Sequence, residues 1–361
     1  MTTQADLEAA IDRDPDSAEA YLVYADVLQS QGDPLGELIV LQHQGRSTDL
    51  VESKGMLGTF AGFVERDSGR RKQRKFALTW QYGFIRTAHI GWESRGSRED
   101  SAAELRAFLE LPVARFLQEL VLGPAPASDF MGFGHLLDVI AELGKPLALR
   151  KLVVGDIGHW DISSTAAGLF APAVAALPYL RSLVAHAGDI SLGHLVHTEL
   201  RELAIQTGGI GTDVLEQLCR SELPKLERLE LWFGTPNYGG TTEVGDIAPI
   251  LDGHFPNLTH LGLMNAVFTD AIAASLATSK ILPRLKTLDL SMGTLSDAGV
   301  RAMVETRGAF AHLEHLELDD NALDETKVLA ATLAKQVHVG DTHEPDRVEG
   351  DFDDRYTSVG E

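Results

Sequence analysis

Two histidine pairs, His194-x-x-His197 and His312-x-x-His315, have a spacing seen in metal-binding pairs. Neither is accompanied by a metalloprotease glutamate or a second Cys/His pair, so neither completes a ligand set. Gly208-Gly209-Ile210-Gly211 has the composition of a phosphate-cradling loop. No Lys-Ser/Thr follows it and the dinucleotide fingerprint is incomplete, so it reads as a turn into a helix at Thr212. Serine, histidine and aspartate are scattered without a nucleophile elbow. The acidic run holding Asp341, Glu344, Asp346, Glu349, Asp351, Asp353 and Asp354 lacks the ligand spacing and glycine of a calcium loop, and reads as a solvated tail. Arg70-Arg71-Lys72-Gln73-Arg74-Lys75 is the one basic cluster. Without interleaved aromatics it reads as a linker answering the acidic residues around it. The expectation is no catalytic centre, no metal and no cofactor.

Composition narrows the partners. The formal charge of −22 argues against nucleic acid, whose binding rests on Lys and Arg releasing counterions from phosphate, and it disfavours anionic membranes. A basic or polar protein partner suits this field better. No apolar run is long enough to span a bilayer, and residues 1–19 carry acids where a secretory signal needs a basic flank. The single cysteine, Cys219, cannot form an internal disulfide; with Leu215 and Leu218 beside it, it reads as a buried helix residue. A cytoplasmic location is expected.

The elements that must position any surface chemistry come from a repeat. Leu285, Leu288, Leu290 and Leu295 recur 28 residues later as Leu313, Leu316, Leu318 and Leu323. With Asn321 the second copy reads Leu-x-x-Leu-x-Leu-x-x-Asn-x-Leu, the pattern of the leucine-rich repeat. The same three-two spacing recurs upstream, from Ile85-Ala88-Ile90 through Leu117-Leu120-Leu122, Leu149-Leu152-Val154, Leu180-Leu183-Ala185, Leu200-Leu203-Ile205, Leu226-Leu229-Leu231 and Leu258-Leu261-Leu263. This predicts nine units, each a strand followed by a helix, over residues 80–338. Helical patterns are read at 101–111, 128–143, 165–177, 212–223, 244–251, 269–279, 296–306 and 324–335. Ser101 with Glu104 is read as a capping box, and Thr212, Thr269, Ser296 and Asp324 as N-caps. The interval from Leu180 to Leu200 leaves room only for a strand and a short connection. Gly293, Ala266, Gly234 and Ile157 stand where Asn321 stands in its unit, so most of the consensus asparagine ladder is missing.

The first 44 residues carry two amphipathic helical patterns separated by Asp14-Pro15-Asp16-Ser17, then Gly32-Asp33-Pro34 and a third apolar run. This segment resembles the bacterial repeat-companion domain through Leu7, Ala9, Ala10, Ile11, Asp14, Pro15, the run at 21–26, Leu28, Gly32-Asp33-Pro34, Gly36-Glu37 and Leu41-Gln42, with Val27 where the family usually has tryptophan. The resemblance implies a module that accompanies repeat arrays, and no chemistry. Residues 45–79, with Met56, Leu57, Phe60, Phe63 and Val64, read as a helical and basic linker completing this cap, and residues 339–361 as an acidic tail. Phe352, Tyr356 and Val359 are candidates to anchor that tail. Tails with similar endings accompany the repeat-companion family, which implies a role for the terminus.

Strand parity then selects the outward side chains. With the consensus leucines inward, Arg228, Glu230 and Trp232, then His260 and Met264, then Asp289, then His315, Glu317 and Asp319 face the concave surface. Trp232 beside Met264 would form an apolar anchor ringed by acids, unless the cap, the tail or the loop at 234–245 covers it. The expected fold is an α/β leucine-rich repeat horseshoe, parallel strands on the concave face and helices on the convex face, with a helical N-terminal cap. The expected function is a non-catalytic scaffold binding a protein partner of unidentified kind. The alternative is a regulated target or subunit of a bacterial effector or signalling system, cleaved or modified by a partner.

Overall fold

Each consensus triplet carries a strand at its middle residue, and in every triplet except Ile85-Ala88-Ile90 the first residue lies just before that strand. A computed structural model describes residues 3–46, 55–58, 60, 76–92, 97–123, 125, 131–341 and 357–359. The basic cluster at 70–75, Phe63, Val64, Phe352, Tyr356 and the acids between 344 and 354 lie outside the described residues. The described chain divides into two compact units, Met1–Asp156 with Pro172–Leu180, and Ile157–Ala171 with Arg181–Glu361.

In the first unit, helices α1 (Gln4–Arg13), α2 (Ala18–Ser30) and α3 (Pro34–His43) follow the helical patterns. Thr3 and Asp6 form a reciprocal capping box, Ser17 accepts from the Ala20 amide, and Asp33 accepts from the Leu35 amide ahead of Pro34. These caps satisfy amides that the first turn of a helix cannot pair internally. The module packs through aromatic rings: Tyr21 meets Phe116 edge-on at 5.6 Å between centroids, and Phe84 meets Phe116 at 4.7 Å. Arg115 grips Asp12 with two bonds of 3.0 and 2.8 Å, and Arg150 donates to the Asp12 carbonyl at 2.9 Å.

Strand β1 (Phe76–Gln81) pairs antiparallel with β2 (Phe84–Ile90), a strand where the sequence reading placed linker for most of its length. Next to β2 run β3 (Glu119–Leu122) and β4 (Lys151–Val154), parallel, with Ala88, Leu120 and Leu152 aligned. The helix after β2 is α4 (Arg98–Leu109), and its capping box is Ser97 with Asp100. The expected box at Ser101 and Glu104 fails because both lie within the helix: Ser101 is buried and Glu104 accepts from the Trp92 indole at 2.8 Å. Helix α5 (Gly134–Glu142) completes the set of longer helices described in this unit.

The second unit carries β5 (Thr165–Leu169), β6 (Ser182–His186), β7 (Asp189–Ser191), β8 (Glu202–Gln206), β9 (Arg228–Gly234), β10 (His260–Ala266), β11 (Thr287–Asp289), β12 (His315–Glu317) and β13 (Gln336–His338). Strands β6 and β8 to β13 form an open parallel series in that order. Their register is in step: Leu183, Leu203, Leu229, Leu261, Leu288, Leu316 and Val337 align, and all but Val337 are buried. Strand β13 extends the series beyond the ninth consensus triplet, in a stretch without the leucine pattern.

Helices α6 (Thr212–Arg220), α7 (Ala248–Leu251), α8 (Thr269–Leu276), α9 (Asp297–Glu305) and α10 (Lys327–Ala330) fill most of the intervals between strands. Several local expectations need correction. Residues 165–177 were expected as a helix, but their first part is β5, parallel to β7 in a separate small sheet. Thr165 is β-branched, and its hydroxyl donates to the Ile162 carbonyl and accepts from the Gly188 amide, which favours an extended chain. The helix expected at 324–335 is the single turn α10. Thr212 and Thr269 are not N-caps: Gly211 and Phe268 occupy those positions without side-chain bonds. Ser296 does cap α9, accepting from the Gly299 amide. Cys219 is half-buried, with its thiol pushed up by desolvation.

The sparse asparagine ladder has a substitute. Asn321, fully buried, accepts from the Leu295 amide at 2.9 Å and donates to the Leu290 carbonyl at 2.8 Å. One unit earlier, Thr269 and Thr294 hydroxyls donate to the Ala266 carbonyl, and the Thr269 oxygen accepts from the Thr294 amide. Hydroxyls thus satisfy buried loop groups where asparagine is missing. The glycine run at 208–211 serves close packing: Gly234, at φ +66°, sits where a Cβ would lie 1.7 Å from the Gly208 carbonyl oxygen. Only glycine combines that backbone conformation with that approach.

Candidate functional site

The outward residues of β9 to β13 stand in registered rows. Arg228, His260, Thr287, His315 and Gln336 form one row, and Glu230, Gly262, Asp289, Glu317 and His338 the next. Parallel strands lie about 4.8 Å apart, so each row is a ladder of neighbouring side chains. The strands bring together the predicted residues of these two rows. His260, Asp289, His315, Glu317 and His338 line a depression of about 510 Å³.

Within it the charges are paired and graded. Arg228 donates to His260 Nε2 at 2.6 Å and is ion-paired with Glu230. Burial, with Arg228 and His315 nearby, lowers the His260 pKa to about 4, so the ring is neutral near pH 7 and its Nε2 can accept that bond. Asp289 moves the other way. Burial, aided by Glu317 and Glu230, raises its carboxyl to about 6 against the opposing bonds from Ser291. Glu317 accepts from His338 Nδ1 at 2.7 Å, which raises the His338 pKa, and also from the Asp319 amide at 3.1 Å. Gly262 leaves the middle of the strip low: a Cβ there would lie 3.2 Å from Glu230 Cγ and 3.3 Å from Met264 Sδ.

Of the two readings of the apolar end of the strip, an exposed anchor or one covered by the chain itself, the structure shows the second. Trp232 and Met264 are in register, but Trp232 is only 7% exposed, in a cluster with Ile162 and Val359 that Ile157, Met264 and Met292 border. The chain's own terminus covers this patch. Val359 is held by both atoms of the Asn265 side-chain amide: its N–H donates to Oδ1 at 3.0 Å and its carbonyl accepts from Nδ2 at 2.6 Å. The Ser358 amide donates to the Met292 carbonyl at 3.1 Å. Asn265, Met292 and Asp320 occupy equivalent positions two residues past the last consensus leucine, and all three have positive φ. Sequence parity missed Asn265, because its left-handed backbone near the end of β10 breaks the alternation. An asparagine in a turn that tolerates φ above zero was the available signal.

The other chemical candidates resolve into structural roles. His197 Nδ1 accepts from the Leu200 amide at 2.9 Å, His194 lies 3.7 Å from Glu222, and His312 Nε2 lies 2.8 Å from the Leu282 carbonyl. In the first unit Ser101 Oγ lies 2.7 Å from His135 Nε2, a nucleophile-like pairing, but Ser101 is 1% exposed and donates to the Arg98 carbonyl. No substrate reaches it in this conformation. Among the described residues, no group of three or more His, Cys, Asp or Glu side chains is placed to hold a metal ion, and no helix is long and apolar enough to cross a membrane.

Fold and site together define an α/β protein with an open, mostly parallel, repeat-like strand series. The chain is similar to the crystal structure of a Bacteroides fragilis protein solved by structural genomics, with a TM-score of 0.64 and 26% sequence identity over 73% of this chain and 75% of that one. No protein-family model matches the sequence. No curated protein sequence matches it either.

Proposed function

We propose that this chain is a leucine-rich repeat protein, with a repeat-companion module at its N-terminus, that binds a protein partner on the outward strand face and performs no catalysis. The observation that carries this reading is the registered strip from Arg228 to His338, in which buried leucines fix the backbone while graded, solvent-reachable side chains vary from strand to strand. A solenoid presents such a surface without disturbing its core. The acidic members Glu230, Asp289, Glu317 and Asp319, with the overall charge of −22, suit a basic or polar protein surface in the cytoplasm.

Affinity capture from native cell extract tests the reading. The comparison is wild type against a His315→Ala, Glu317→Lys double variant, which alters the strip and leaves every consensus leucine in place. Loss of a captured protein in the variant is the expected outcome. Equal capture by both chains would remove the strip from recognition.

A further inference from the structure

The contact at Trp232 has the form of a ligand in a site. Three described residues, 357–359, lie after a 15-residue interval from Asp341, yet Val359 is only 6% exposed. The recognition is of two kinds. Asn265 reads backbone, pairing with the N–H and the carbonyl of one residue as a neighbouring strand would, and the Met292 carbonyl takes the preceding amide. Trp232, Ile162, Met264 and Met292 read side chain, enclosing one small aliphatic group. Backbone bonds of this sort are available to almost any extended peptide, whereas the pocket selects the residue that fills it. Asn265, with a left-handed backbone at φ 53°, is fully buried with the tail in place, and both atoms of its side-chain amide are bonded to Val359.

We propose that the groove formed by Trp232, Asn265 and Met292 is a recognition site for a peptide segment bearing a valine-sized aliphatic side chain, and that residues 357–359 occupy it as an intramolecular competitor. This rests on the protein-binding reading above and adds the partner's chemistry: a segment with a small residue before a valine or its like, presented by another protein. The competitor is tethered. A covalently attached competitor meets the groove without a second molecule having to find it, so a free peptide must exceed its effective concentration. A partner segment must exceed that competition, or the tail must first be drawn away, so the groove admits tight or abundant ligands and rejects casual ones.

The test uses the full chain and a fluorescein-labelled peptide with the sequence of residues 355–361. Fluorescence anisotropy compares wild type, Val359→Asp, and Val359→Asp with Asn265→Ala. Release of the tail should let the single variant bind the peptide at least tenfold more tightly than wild type, and removing the asparagine amide should reverse that gain. A folded Val359→Asp chain that binds no better than wild type would overturn the proposal, as would tight binding that survives Asn265→Ala.

Hydrogen exchange on the unaltered chain gives an independent reading, free of any folding defect in the variants. The Ser358 and Val359 amides should exchange at least a hundredfold faster than the Leu288 amide, through local opening. Exchange as slow as at Leu288 would make the terminus part of the cooperative core and overturn the proposal. The capture experiment on His315 and Glu317 stays interpretable in either case, because those residues lie in a different part of the strip.

Discussion

The first parallel strand of the first unit and the outward strip of the second meet the same difficulty by opposite means. An outer strand exposes unpaired backbone, and a half-buried sheet face exposes side chains that invite contact. Around β2 the answer is permanent: an antiparallel partner, β1, and a helical module whose Tyr21 packs with Phe84 and Phe116, clamped by Arg115 on Asp12. Around Trp232 the answer is three residues of tail, held by one asparagine amide, one carbonyl and one small side chain. The first arrangement has the depth of a core. The second has the size of a ligand contact, and the strip beside it carries half-buried polar side chains with His315 and His338 exposed. The difference teaches that the two covers differ in scale: aromatic packing with a part-buried ion pair in one unit, and a three-residue contact in the other.

Substitutions should separate the two regions by energy. Phe116→Ala empties the centre of the aromatic cluster and should cost about 3–5 kcal/mol, read as a lower midpoint in urea unfolding. A loss below about 1 kcal/mol would mean that the cap is not the anchored region described.

The next effect is a pH dependence confined to the strip. Asp289 has a folded pKa raised to about 6, so the native state holds more protons than the unfolded chain between about 4 and 6, and its contribution to stability is lost as pH rises through that window. His260 has a folded pKa lowered to about 4, so its contribution grows as pH rises from about 4 toward 6.5. The two oppose each other in the wild-type chain. Asp289→Asn should expose a stability that increases with pH across 4 to 6, and His260→Gln one that decreases. Parallel pH curves for both variants and wild type would show that neither group is shifted.

The smallest expected change is His315→Ala, which removes an exposed side chain and should alter stability by no more than about 0.5 kcal/mol. That near-silence makes its part in a binding assay readable.

The leucine spacing made the strand series legible. Residues from Leu120 to Leu316 that were read as inward are buried, because a two-residue alternation leaves little freedom once one face must leave water. The polar rows were legible by the same parity. What escaped depended on contacts distant in sequence. Thr165 looks like the start of a helix until the Gly188 amide, 23 residues on, engages its hydroxyl, and β13 has no leucine to announce it. Cover of Trp232 by the tail, with Val359 as an anchor, stood open in the sequence; what the sequence did not show was the group that holds it, Asn265, whose side chain binds the Val359 backbone at a separation of 94 residues. No local pattern encodes such a pairing; it requires the strands to be in place first.

The central claim is that the outward strip is where another protein sits. A photo-crosslinking residue placed at His315, which is exposed on the strip, and separately at Val328, which is 86% exposed on helix α10, tests it in native cell extract. The account predicts a discrete crosslinked protein from position 315 that is absent from position 328. A crosslink from 328 alone, or the same product from both, would contradict it.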